Sequence, residues 1–170
     1  MLPAIMILRF ELERPADIGQ RTWRTIGRDI HHRVGEYWHK HFLPRHWKRG
    51  ASTRYGYQAR SGKYRRKKAA LAKRGVAKAP NTDLLFTGRL REAMVDYADI
   101  RAFPTRFSVS MYGPKYVSMR PKNPSMPNMG AEITATTDSE QQQLADLAEK
   151  RMERLVNAFM STKKKKTRTG

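Results

Sequence analysis

The chain has 170 residues, no cysteine, and 35 Lys or Arg against 15 Asp or Glu, for a formal net charge of +20. That length supports one domain with a real core. The missing cysteines exclude disulfides and thiolate metal sites and fit a cytosolic protein, and no apolar run approaches the roughly 18 residues of a membrane span, so no membrane partner is expected.

The N-terminal stretch Met1 to Phe10 is apolar but lacks a basic leader and a small-residue cleavage site, so it reads as mature structure. Alternation of Met6, Leu8, Phe10 and Leu12 against Arg9 and Glu11 predicts a half-buried strand over Ala4 to Leu12. Trp23, Ile26, Ile30, Val34, Tyr37, Trp38 and Phe42 then recur every three or four residues. They mark the apolar face of a long helix, Asp17 to Phe42, ended by Pro44. Gly27 and Gly35 interrupt it, each at about 1 kcal/mol against Ala.

From His46 to Thr82 there is no sustained period. Five Gly or Pro residues and Tyr55, Tyr57 and Tyr64 lie among the cations. This predicts a long loop or arm, with a short helix around Tyr64 to Lys73. Order resumes at Asp83: Thr87 caps a short helix starting at Gly88, with Leu90 and Met94 one turn apart. Two strands follow, Val95 to Phe103 and Arg106 to Tyr112, joined at Pro104-Thr105. A Pro-, Met- and Asn-rich loop spans Pro114 to Gly130, and a short strand Ala131 to Thr136. Thr137-Asp-Ser-Glu140 fits a capping box, opening a last helix from about Ser139 to Met160. The expected fold is α+β: a small, mainly antiparallel sheet packed against a long N-terminal and a long C-terminal helix, with an extended basic loop. One domain spans 1–160, with a basic arm inserted at about 44–82 and a basic tail at 161–170.

The charge is concentrated. Tyr37 to Thr82 holds fourteen Lys or Arg and no acid, and Ser161 to Gly170 holds five more, again with no acid. The rest of the chain is close to neutral. Self-repulsion in such segments opposes compaction unless something anionic settles on them. The strongest candidate contacts are Arg60, Lys63, Tyr64, Arg65, Arg66, Lys67, Lys68, Lys73 and Arg74, followed by Lys163, Lys164, Lys165 and Lys166. Such groups grip phosphates without reading sequence. An acidic protein face would satisfy the same charges. The tyrosines either stack on exposed bases or anchor the arm to its own protein.

Other chemistries are poorly supported. His31, His32, His39, His41 and His46 are spaced so that they diverge on a helix, with His39 and His41 about 160° apart, and no acid follows Glu36 until Asp83. No metal site and no cofactor are expected. Asp96 and Asp99 are near neighbours, but no carboxylate cluster for a metal-dependent nuclease is present. There is no phosphate-cradling Gly-rich motif and no nucleophile elbow. No catalytic residue is assigned.

Leu84-Leu85-Phe86-Thr87-Gly88-Arg89-Leu90-Arg91 follows the Lys-rich stretch and precedes a strand pair, a loop, a strand and a long helix. This order resembles the neck and tail-completion proteins of tailed bacteriophages, the group that includes the virion-morphogenesis and minor tail (head–tail joining) families. Thr87, Gly88 and Leu90 match the family's Thr-Gly-x-Leu core. The resemblance implies a non-enzymatic virion protein, assembled in the host cytoplasm. It further implies a six-fold homo-oligomeric ring between connector and tail tube, near the genomic DNA in the channel. The alternative is a free-standing, sequence-nonspecific nucleic-acid-binding protein.

Overall fold

Side-chain alternation builds a three-stranded sheet. The computed structural model describes residues 4–8, 12–77, 84, 88–96, 98–112 and 127–168. Strand β1 is Ala4–Leu8, β2 is Ala98–Phe103 and β3 is Arg106–Met111. β3 lies in the centre, antiparallel to both neighbours, in the order β1-β3-β2. Phe107, Val109 and Met111 are fully buried on one face. The register aligns Met6, Val109 and Ile100 on that face, and Ile7, Ser108 and Arg101 on the other. Ile7 is 55% exposed, as the alternation requires. Pro104 and Thr105 form the turn between β2 and β3.

Helix α1 (Gln20–Tyr37) lies against β2 and β3, burying Ile26, Ile30 and Val34. Its glycines mark the closest approach. A β-carbon on Gly27 would sit 2.4 Å from the carbonyl oxygen of Pro104. One on Gly35 would meet Ile100 and Phe107 at 3.0 Å. The helical propensity lost at these positions is thus exchanged for tight helix–sheet packing.

The helical path does not stop at Pro44. A π-helical turn, Trp38–Phe42, leads into a 3-10 turn, Leu43–Trp47, whose first residues tolerate the proline. The widened turn places Trp38, Phe42 and Leu43 all in the core. Beyond it come α2 (Ala51–Tyr55), α3 (Gly62–Lys73) and α4 (Arg89–Asp96). The short helix expected around Tyr64 to Lys73 is α3, but the stretch before it, expected to be loop, forms the 3-10 turn and α2, and Trp47, Ala51 and Tyr57 join the core. Gly88 has φ 94° and its carbonyl accepts the Glu92 N–H at 3.1 Å, so it starts α4 in the left-handed conformation that favours glycine. Leu90 and Met94 are buried.

The expected strand at Ala131 to Thr136 is instead helix α5 (Met129–Thr134), capped by the Asn128 side chain, which accepts the Ala131 N–H at 3.1 Å. Local capping outweighed the strand preference of Ile133 and Thr134. The last helix, α6 (Asp138–Arg168), has 31 residues and continues through Lys163–Lys166 instead of ending near Met160. It packs along α1 and buries Leu144 and Ala148. The capping box forms as expected: the Thr137 N–H donates to Glu140 Oε2 at 3.3 Å, and the Glu140 N–H to Thr137 Oγ1 at 3.2 Å. The architecture is α+β, with the two long helices and the small antiparallel sheet. Thr87 and most of the Pro114 to Gly130 loop lie outside the described residues, as do the side chains of Lys163 to Lys166.

Candidate polyanion interface

The acid-free segment is fixed to the body by two glutamates from the far end of the chain. Glu132, at the start of α5, accepts from Arg60 Nη1 at 2.9 Å on Oε1 and from Arg60 Nη2 on Oε2. Its Oε1 also accepts the Gln58 N–H at 3.1 Å. The pair is nearly closed to solvent, with side-chain exposures of 7% and 9%. Glu140, in the first turn of α6, accepts from Arg45 Nη1 at 3.0 Å and from the Tyr55 hydroxyl at 2.8 Å. A carboxylate held by a guanidinium fork plus a backbone donor satisfies the desolvated charges on both sides.

Between these two clamps lies an aromatic stack. The His46 ring lies on Tyr55, centroids 3.9 Å apart and planes within 11°. His46 Nδ1 also shares a short hydrogen bond with the Tyr57 hydroxyl. Burial holds the His46 imidazole down at about 4, against the opposing pull of the Glu132 and Ala135 backbone carbonyls. Burial, then the hydrogen bond to Glu140, pushes the Tyr55 phenol above its usual range. Tyr55 and Tyr57 thus anchor the segment to its own protein. The other histidines are dispersed: His31 is buried with Nδ1 2.7 Å from the Gly27 carbonyl, and His39 Nε2 lies 3.1 Å from the Met94 carbonyl. Among the described residues no three His, Asp or Glu groups are placed to hold a metal. Asp99 pairs with Arg101 at 2.7 Å.

Helix α3 carries the cations. Ser61 caps it, its Oγ accepting the Tyr64 N–H at 3.2 Å. Gly75, at φ 74°, closes it, with the Val76 N–H reaching back to the Leu71 carbonyl at 2.9 Å. Tyr64, Lys68, Leu71 and Ala72, spaced four, three and one apart, form its covered side. Lys63, Arg65, Arg66, Lys67, Lys73 and Arg74 are exposed.

Three of the expected contact residues are therefore placed differently: Tyr64 is half-buried on the covered side of α3, and two cations are covered more fully. Arg60 is spent on Glu132, and Lys68, at 2% exposure, lies on the buried side of α3. Neither belongs to the solvent-facing charge. Lys40, Lys48, Arg49 and Arg54 join the six exposed cations of α3 and its end, so ten exposed cations come from this segment. None of the ten has a carboxylate partner among the described residues. The fold pairs Arg60 with Glu132 and Arg45 with Glu140, takes Lys68 inside, and leaves these ten to solvent.

Glu132 and Glu140 were the residues that sequence patterns missed in this role. The capping box identified Glu140 as a helix cap but carried no sign of Arg45 or Tyr55, 95 and 85 residues away. Comparison with known protein families, characterised proteins and solved structures finds no match to this chain.

Proposed function

We propose that this chain is a non-catalytic virion protein of a tailed bacteriophage: a neck subunit that completes the tail and joins it to the head. In this reading it forms a homo-oligomeric, six-fold ring between the connector and the tail tube. Its basic face lies toward the DNA channel.

The observation that carries this reading is the sorting of charge. Glu132 and Glu140 take up Arg60 and Arg45, while ten exposed cations remain without a carboxylate partner among the described residues. Exposed cations without a carboxylate partner among the described residues suit a polyanion, because each neutralised phosphate releases condensed counterions. Contacts of this kind are sequence-neutral, as DNA passing through a channel requires. Part of the expected order of elements adds support: a basic segment, then Gly88 and Leu90 opening a short helix, a β-hairpin and a long last helix, with helix α5 where a strand was expected. Gly88 and Leu90 have structural roles there, one in the left-handed start of α4 and one in the core.

The test is assembly. Light scattering on the purified chain, alone and with connector and tail-tube proteins, should give a closed ring. Antibody labelling of virions should mark the head–tail junction. A chain that stays monomeric under every condition and is absent from purified particles contradicts the proposal.

A further inference from the structure

Among the depressions on the described surface, three stand out by their lining. One between α1 and α6 includes Asp29 and Glu36 in its lining, and one beside the π turn includes Glu36. The third, of about 350 Å3, lies where α2 meets the start of α3 and is lined by Ser52, Thr53, Tyr57, Ala59, Arg60 and Arg65. Among the described residues no carboxylate lines it. We infer that this depression takes one phosphodiester group of a nucleic-acid backbone. The inference deepens the proposed contact with DNA and rests on the basic face being a polyanion surface.

The lining chemistry fits such a group. A phosphodiester carries one negative charge and two free oxygens. Arg65 is exposed in the first turn of α3 and supplies a charge-assisted fork. Ser52 and Thr53 supply neutral hydroxyl donors. Arg60 forms a fixed part of the wall, because Glu132 and the Gln58 carbonyl hold its guanidinium. Glu132 is turned to donors of its own: Arg60 and the Gln58 N–H. Tyr57 is buried beside Tyr55 and His46, with its hydroxyl on His46 Nδ1, so its ring offers little surface to a base. That leaves phosphate contact rather than base stacking as the function of the site. Arg54 and Arg66 flank the lining residues in sequence and are exposed, so a backbone entering here meets further cations. A nucleic-acid strand presents phosphates in series, which this surround suits better than an isolated anion.

The full chain is titrated with inorganic phosphate and, separately, with a short random-sequence DNA duplex. The parent is compared with Thr53→Val, Arg65→Gln and Arg24→Gln. Thr53 and Arg65 are exposed, and circular dichroism confirms that each variant is folded. The parent should bind phosphate saturably, and Thr53→Val and Arg65→Gln should each weaken this by about tenfold. Arg24→Gln, on α1, should leave it unchanged. On the duplex, Arg65→Gln should reduce the slope of log K against log salt by about one. Thr53→Val should weaken duplex binding without altering that slope, since it removes no charge. Phosphate binding that is absent, or equal in parent, Thr53→Val and Arg65→Gln, overturns the pocket. If steeply salt-dependent duplex binding survives that result, the basic face stands and only the pocket is lost. Saturable phosphate binding at the pocket with no duplex binding overturns the backbone assignment and points to a phosphate monoester.

Discussion

Glu132 holds Arg60 through both carboxylate oxygens across 72 residues of chain, and almost no solvent reaches the pair. It converts a stretch that looks like a free arm into part of the folded body. Breaking one side leaves a buried charge alone. Glu132→Ala should cost about 3–5 kcal/mol in urea unfolding. The double change Arg60→Met with Glu132→Leu should recover most of that loss, because it removes both desolvated charges. A Glu132→Ala loss below about 0.5 kcal/mol, the range of ordinary surface changes, would mean that the pair does not fasten the segment.

The Glu140 clamp combines two roles. Thr137→Ala removes one capping bond and should cost about 1 kcal/mol. Glu140→Ala removes the reciprocal cap together with the partners of Arg45 and Tyr55, so its cost should be clearly larger. Equal losses in the two variants would reduce Glu140 to a helix cap.

Gly27 predicts the opposite of its helix propensity. Ala in an open helix interior gains about 1 kcal/mol over Gly. Here the new methyl would meet the Pro104 carbonyl at 2.4 Å, with backbone on both sides and no flexible side chain to move. Gly27→Ala should lower stability by about 1–3 kcal/mol. Gly35→Ala should cost less, because its neighbours are the side chains of Ile100 and Phe107. Thermal melts of the two variants give the ranking, and a stabilised Gly27→Ala would refute the close helix–hairpin contact.

His46 makes stability fall with acid. Its folded value lies at about 4, below the ordinary 6.5, because burial penalises the charged ring. Between those values the unfolded chain binds the proton and the folded chain does not, so unfolding is favoured as pH drops. The contribution is complete above about pH 6.5, declines down to about pH 4 and is absent below it. It amounts to about 3 kcal/mol. His31, also lowered by burial, acts in the same direction. Urea midpoints measured from pH 7 to pH 4 should fall in the parent and fall less in His46→Phe, which keeps a ring against Tyr55. Parallel profiles would remove His46 as the cause.

Much of the frame could be read from local pattern. Alternation found β1 and the hairpin on either side of Pro104-Thr105, and three-to-four spacing found α1 and most of α6. Thr137 and Glu140 announced their cap. The helix around Tyr64 to Lys73 was legible, but the stretch between Pro44 and Arg60 was misread as loop because what orders it is not local: Arg45, Tyr55 and Arg60 reach partners 72 to 95 residues away. Lys68 illustrates the same limit, since residue type places a lysine outside while α3 turns it inward. At α5 a local signal was present in Asn128, and the β-branched Ile133 and Thr134 concealed it. The reasons for Gly27 and Gly35 lie on β2, β3 and their turn, which no reading of the helix alone could supply.

The salt dependence of duplex binding by the full chain tests the exposed charge of α3 most directly. The parent is compared with a variant in which Lys63, Arg65, Arg66 and Lys67 are all changed to Gln. These four are exposed and without carboxylate partners among the described residues, so the variant should stay folded and as stable as the parent. Log K should fall steeply with log salt in the parent, and the slope should become shallower by about three to four in the variant. A folded variant with the parent's slope and affinity would contradict the assignment of this helix as the surface that meets DNA.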